Sequence, residues 1–130
     1  MQNDLWISVN YYDGVVSAIR KKNYTAARQN QALYVLMAII RNLTLNAFHC
    51  SLTALELSDL LEIDKAEMAR CLIILEQVDA IRRIKGTRPK IITVSPMNAF
   101  RGDEVSRIEA AQSYEGATKP PSRPGRMAKT

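Results

Sequence analysis

The chain is short of the residues from which catalytic and metal centres are usually assembled. It holds one histidine, His49, and two cysteines, Cys50 and Cys71, which stand far apart and form no CxxC pair. Such an inventory supports neither a disulfide framework nor a zinc site, so two reduced, partly buried thiols and an ordinary strand or loop histidine are expected. Uninterrupted apolar runs of about 18 residues are missing, as is a basic-then-apolar leader, which argues against a membrane span or secretory signal and for the cytoplasm. Also lacking are paired carboxylates in an apolar setting, a phosphate-cradling glycine loop and a serine or cysteine beside a base. An enzyme is therefore not expected, and no cofactor is implied.

What the chain does have is apolar material and positive charge. At 130 residues and 47% hydrophobic it is long enough for one domain with a sizeable core. Its net charge of +5 and isoelectric point near 9.4 point to an anionic partner. Distribution is more informative than the total. Arg82, Arg83, Lys85, Arg88 and Lys90 crowd into residues 82–90 with no acid among them, a bias that a merely solvated loop does not need.

The pattern around that cluster is ordered. Thr53-Ala54-Leu55-Glu56 has the form of a capping box and predicts a helix start, with Leu57, Leu60 and Leu61 as its apolar face. Asp64-Lys65-Ala66-Glu67 predicts a second capped start about one turn later, with Met68, Cys71, Leu72 and Leu75 turned inward. After Asp79 the period changes. Ile81 to Ile84 and Ile91 to Val94 read as strands separated by the basic, turn-rich segment 85–90. Helix, tight turn, helix and basic hairpin make the layout of a winged helix-turn-helix, with segment 85–90 as the wing.

In its order of apolar and polar positions, Thr53 to Arg83 resembles the helix-turn-helix of MarR-like bacterial winged-helix proteins. Val94-Ser95-Pro96-Met97-Asn98-Ala99-Phe100-Arg101-Gly102-Asp103 resembles the segment that closes the wing in RepL-type plasmid replication proteins. The likeness spans about Asn30 to Asp103. It departs from those families at two turns, where Glu62 and Asp79 stand in place of the usual glycine or asparagine. The resemblance implies double-stranded DNA as partner and a role in transcription regulation or plasmid replication.

The expected architecture is thus α+β: an N-terminal β-hairpin and basic connector over residues 1–22, a winged helix-turn-helix domain over 23–103, and a short helix with a disordered basic tail over 104–130. The hairpin rests on alternation of Ile7, Val9 and Tyr11 before Asp13-Gly14 and Val15-Val16. Thr25 to Leu43 predicts a helix apolar on nearly all sides, and Ala47-Phe48-His49-Cys50 a third strand beside the wing. Candidate DNA contacts are Lys65, Ala66, Ala69 and Arg70 on the second helix of the motif, with Arg82, Arg83, Lys85, Arg88 and Lys90 on the hairpin. Glu67 is expected to complete the cap. A homodimer through the N-terminal hairpin and the Thr25 to Leu43 helix is expected from the two-fold habit of such readers. The competing class is a winged helix used as a protein-interaction module.

Overall fold

A computed structural model describes residues 5–118. Its elements run β1 (Leu5–Ile7), α1 (Val9–Arg20), α2 (Ala26–Arg41), α3 (Ala54–Leu61), α4 (Lys65–Gln77), β2 (Arg82–Ile84), β3 (Ile91–Thr93), β4 (Ala99–Arg101) and α5 (Glu104–Thr118). The described residues form an α+β fold of five helices and two small antiparallel sheets, compatible with a winged helix-turn-helix.

The core is laid down by α2. Thr25 caps it by accepting from the Arg28 N–H at 3.1 Å, and Ala32, Val35, Leu36, Ala38, Ile39 and Ile40 are all buried. Each fully buried Leu or Ile contributes roughly 1.5–3 kcal/mol. The near-continuous apolar surface of α2 is therefore explained inside one chain, against α3 and α4. On α3 both arms of the capping box are made: Glu56 N–H to Thr53 Oγ1 at 3.1 Å, and Thr53 N–H to Glu56 Oε1 at 2.9 Å. Leu57 lies in the core, whereas Leu60, expected beside it, is 57% exposed, because the short helix turns only one narrow stripe inward.

The turn between α3 and α4 closes as a Schellman motif. Ile63 N–H donates to Ser58 O at 3.0 Å, and Glu62 takes the left-handed conformation (φ 55°) usually left to glycine. Asp79, before β2, does the same (φ 57°). Both residues thus hold the left-handed turn geometry and accept a steric cost of about 1–2 kcal/mol each. Asp64 caps α4 as expected, accepting from Ala66 N–H at 3.0 Å, and Met68, Cys71, Leu72 and Leu75 are buried.

Strands β2 and β3 pair Arg82 with Thr93, Arg83 with Ile92 and Ile84 with Ile91. Residues 48–50 lie along the other side of β3 through Cys50 N–H to Ile92 O (2.8 Å) and Val94 N–H to Phe48 O (3.0 Å), so the expected third strand is present as a short strap. Tyr114 of α5 sits buried against it, edge-on to Phe48 at 5.3 Å and beneath the Arg82 guanidinium at 5.4 Å. Phe100, in the segment that returns from the hairpin, is buried. Helix α5 continues to Thr118. The remainder of the expected basic tail lies outside the described residues.

The N-terminal β-hairpin is overturned. A strand does begin at Leu5, but it pairs antiparallel with β4 (Leu5 with Arg101, Trp6 with Phe100, Ile7 with Ala99) rather than with residues after Gly14. Residues 9–20 are helical instead. Ser8 caps α1 by accepting from Tyr11 N–H at 3.2 Å. Tyr11, Val15 and Ile19 recur at helical spacing and pack on the core, while Val9, assigned to the strand's inner face, is 71% exposed. Asp13-Gly14 is therefore an ordinary mid-helix pair, and a Cβ at Gly14 would meet nothing within 4 Å. The competing four-residue period won because it buries two β-branched residues that a two-residue ribbon would have left half wet.

Candidate functional site

The basic cluster divides where the β2–β3 hairpin leaves the core. At its root Arg83 donates from Nη2 to Glu76 Oε1 at 2.6 Å, and its side chain is only 18% exposed. Its Nε is buried without a hydrogen-bond partner among the described residues. Arg82 meets Asp79 (3.4 Å), Thr118 (3.3 Å) and the Tyr114 ring. Tyr11 adds a third tie by donating from its hydroxyl to Ala80 O at 2.6 Å, and burial pushes the pKa of that hydroxyl far above its ordinary value. These contacts join α1, α4, α5 and β2 into one support.

Beyond Ile84 the charges are differently placed. Lys85, Arg88 and Lys90 are exposed, and none takes part in an ion pair among the described residues. Thr87 organises the tip, donating from Oγ1 to Ile84 O (3.1 Å) and accepting from Ile91 N–H (3.2 Å). Gly86 supplies the positive φ of 89° that the bend requires.

On α4, Lys65, Ala66, Ala69, Arg70 and Ile73 are exposed, as helical spacing predicts. Glu67 does not complete a capping box. Its carboxylate is bound by Arg28 of α2 (3.4 Å) and by Arg70 one turn on. The missed link is Arg28: a long-range ion pair has no signature in local spacing. Its effect is to steady the outer face of α4 and to leave Arg70 partly neutralised, with Lys65 as that face's unpaired cation among the described residues.

The tip and the amino end of α3 share a cavity of about 350 Å³, lined by His49 to Thr53 on one side and Thr87 to Ile91 on the other. The register explains the encounter. With Cys50 bonded to Ile92, continuing the strap antiparallel to β3 carries Leu52 and Thr53 beside Lys90 and Pro89. Sequence spacing does not single out His49, Ser51 or Thr53 as contacts, because the strap's register against β3 is a tertiary fact. The Cys50 thiol at the floor is buried, which raises its pKa and suppresses thiolate chemistry.

Among the described residues no cluster of His, Cys, Asp or Glu could hold a metal ion, and no helix is long and apolar enough to cross a membrane. Compared with protein-family models, curated proteins and solved structures, the chain matches none.

Proposed function

We propose that this chain is a sequence-specific double-stranded DNA-binding protein with a winged helix-turn-helix, acting as a transcription regulator or plasmid replication factor of bacterial or mobile-element origin. One observation carries the reading: Lys85, Arg88 and Lys90 stand exposed and unpaired among the described residues, at the end of a hairpin whose root cations are tied down. An anchored arm with a cationic tip suits a phosphate backbone, where each contact releases condensed counterions. The exposed Ala66 and Ala69 let α4 approach base edges closely, with Lys65 at its amino end on a phosphate and Arg70 on a base, once its guanidinium exchanges Glu67 for guanine acceptors.

The resemblance to MarR-like and RepL-type proteins supports regulator and replication factor alike. A homodimer belongs to the same reading, since two reading helices on two half-sites match the affinities such proteins need. Most apolar side chains of α2 are buried within the chain, which leaves exposed Tyr34 as its large apolar residue for such a surface. Exposed Val105 and Ile108 on α5 are the better material.

The test is a gel shift on mixed-sequence and genomic duplexes at several salt concentrations, with light scattering for the assembly state. Affinity that falls steeply with salt is the expected result. A second reading, docking to a basic protein partner, is favoured by the outer face of α3, where exposed Glu56, Asp59 and Glu62 flank exposed Leu55 and Leu60. Absence of any salt-dependent duplex affinity would put that reading first.

A further inference from the structure

We propose that the cavity between the hairpin tip and the strap 49–53 seats one sugar-phosphate unit of the DNA backbone, making the amino end of α3 a second jaw opposite the wing. This rests on the DNA reading above and adds to it a site with its own residues.

The cavity's chemistry is divided in a way that fits such a unit. Leu52, Pro89 and Ile91 provide apolar wall, Cys50 closes the floor, and Arg88 and Lys90 stand at the rim with no acidic partner among the described residues. A deoxyribose ring offers a mostly apolar face and its phosphodiester a localised negative charge. About 350 Å³ is more than a lone phosphate fills and lies at the small end of the roughly 300–1,000 Å³ range of ligand sites. Ser51 is exposed at the mouth, and its backbone N–H is committed to Asn42 O at 2.8 Å, so the backbone that carries its side chain is held. The nearest carboxylate on α3, Glu56, is engaged by the Thr53 N–H inside the capping box.

The two walls also have different mechanical support, which suits a grip on a backbone. The strap is bonded to β3 and runs straight into a capped helix, whereas the tip turns around the Thr87 hydroxyl. Phosphate contacts of this kind set register rather than sequence preference. The seat therefore fixes how far the wing slides along the duplex while α4 reads.

The experiment uses the full chain, fluorescence anisotropy on a mixed-sequence duplex and the substitution Ser51→Glu, which places a carboxylate at the cavity mouth. Affinity should fall about tenfold or more, with the salt slope reduced by about 0.9, while the thermal melt is unchanged. Ser113→Glu on the exposed side of α5 adds the same charge away from the cavity and should cost far less. In an Arg88→Ala/Lys90→Ala background Ser51→Glu should add less than about twofold, because the groups share one phosphate. Equal effects of Ser51→Glu and Ser113→Glu, with the tip variant still weak, would overturn the seat and leave DNA binding standing. Saturable competition by inorganic phosphate at constant ionic strength would overturn it in favour of a free-anion site. A wild-type chain with no salt-dependent duplex affinity would remove the DNA reading and the seat together.

Discussion

The root and the tip of the β2–β3 hairpin carry the same kind of side chain and put it to opposite uses. Arg82 and Arg83 are wrapped against Asp79, Glu76 and Tyr114, half buried and shared between elements. Lys85, Arg88 and Lys90, a few residues on, are exposed without acidic partners among the described residues. In sequence the five look like one basic cluster. In space they are a bracket and an exposed cationic tip, and the difference arises from whether an acid from another element lies within reach.

That contrast is testable from the tip inward. Replacing Lys85, Arg88 and Lys90 together by Ala should cut duplex affinity most, lowering the salt slope by about 0.9 for each phosphate no longer neutralised. The folded state should barely notice, with stability within about 0.5 kcal/mol of wild type by urea titration. A variant that melts early but binds normally would invert the assignment.

Arg83→Ala should do the reverse. It strands Glu76, one-third exposed, beside a buried wall, and the cost is about 1–3 kcal/mol, below the roughly 3–5 kcal/mol of a fully buried pair because solvent reaches the carboxylate. If its denaturation midpoint matches that of Lys85→Ala, the root is no bracket.

Tyr11→Phe removes the tie to Ala80 O and should lower stability by about 0.5–1.5 kcal/mol. It also probes pH. Burial raises the folded-state pKa of Tyr11 above the ordinary 10.0, so its contribution is fully present below about pH 10 and is lost as pH rises past that value. The wild type should weaken on going from about pH 8 to about pH 11, and Tyr11→Phe should weaken less over that interval; parallel curves would assign the alkaline loss to Tyr114 and the buried thiols.

The smallest effects belong to the left-handed turns. Glu62→Gly should gain about 0.5–1 kcal/mol, as relief of the strained φ exceeds the added chain entropy. Asp79→Gly should gain less, since it also gives up the ion pair with Arg82, an exposed pair worth at most about 1 kcal/mol. A larger gain at Asp79 than at Glu62 would show that this ion pair contributes nothing.

Much of the fold was legible because its signals are local. The capping box at Thr53 and Glu56, the Asp64 cap, the inward stripe of α4 and the change of period after Asp79 each involve residues within a turn or two of one another. The N-terminus misled because Ile7, Val9 and Tyr11 satisfy one period while Tyr11, Val15 and Ile19 satisfy another, and only the available core surface decides between them. Strand β4 was equally hidden, since three residues between Pro96 and Gly102 have no partner until β1 arrives from the far end of the chain.

Of the candidate contacts, sequence placed Lys65, Ala66, Ala69 and Arg70 on the outer face of α4 correctly, because helical geometry alone determines which side faces out. It determined too that a basic hairpin follows. Which cations of that hairpin are spent on the protein itself was decided by Glu76, Asp79 and Tyr114 arriving from α4, the turn after it and α5. The register of the strap against β3, which brings Ser51 and Thr53 beside the tip, was likewise a tertiary outcome. The physical reason is the same in both cases: capping and periodicity act over a few residues, whereas ion pairing and strand register depend on groups that only the packed core brings within a few ångströms.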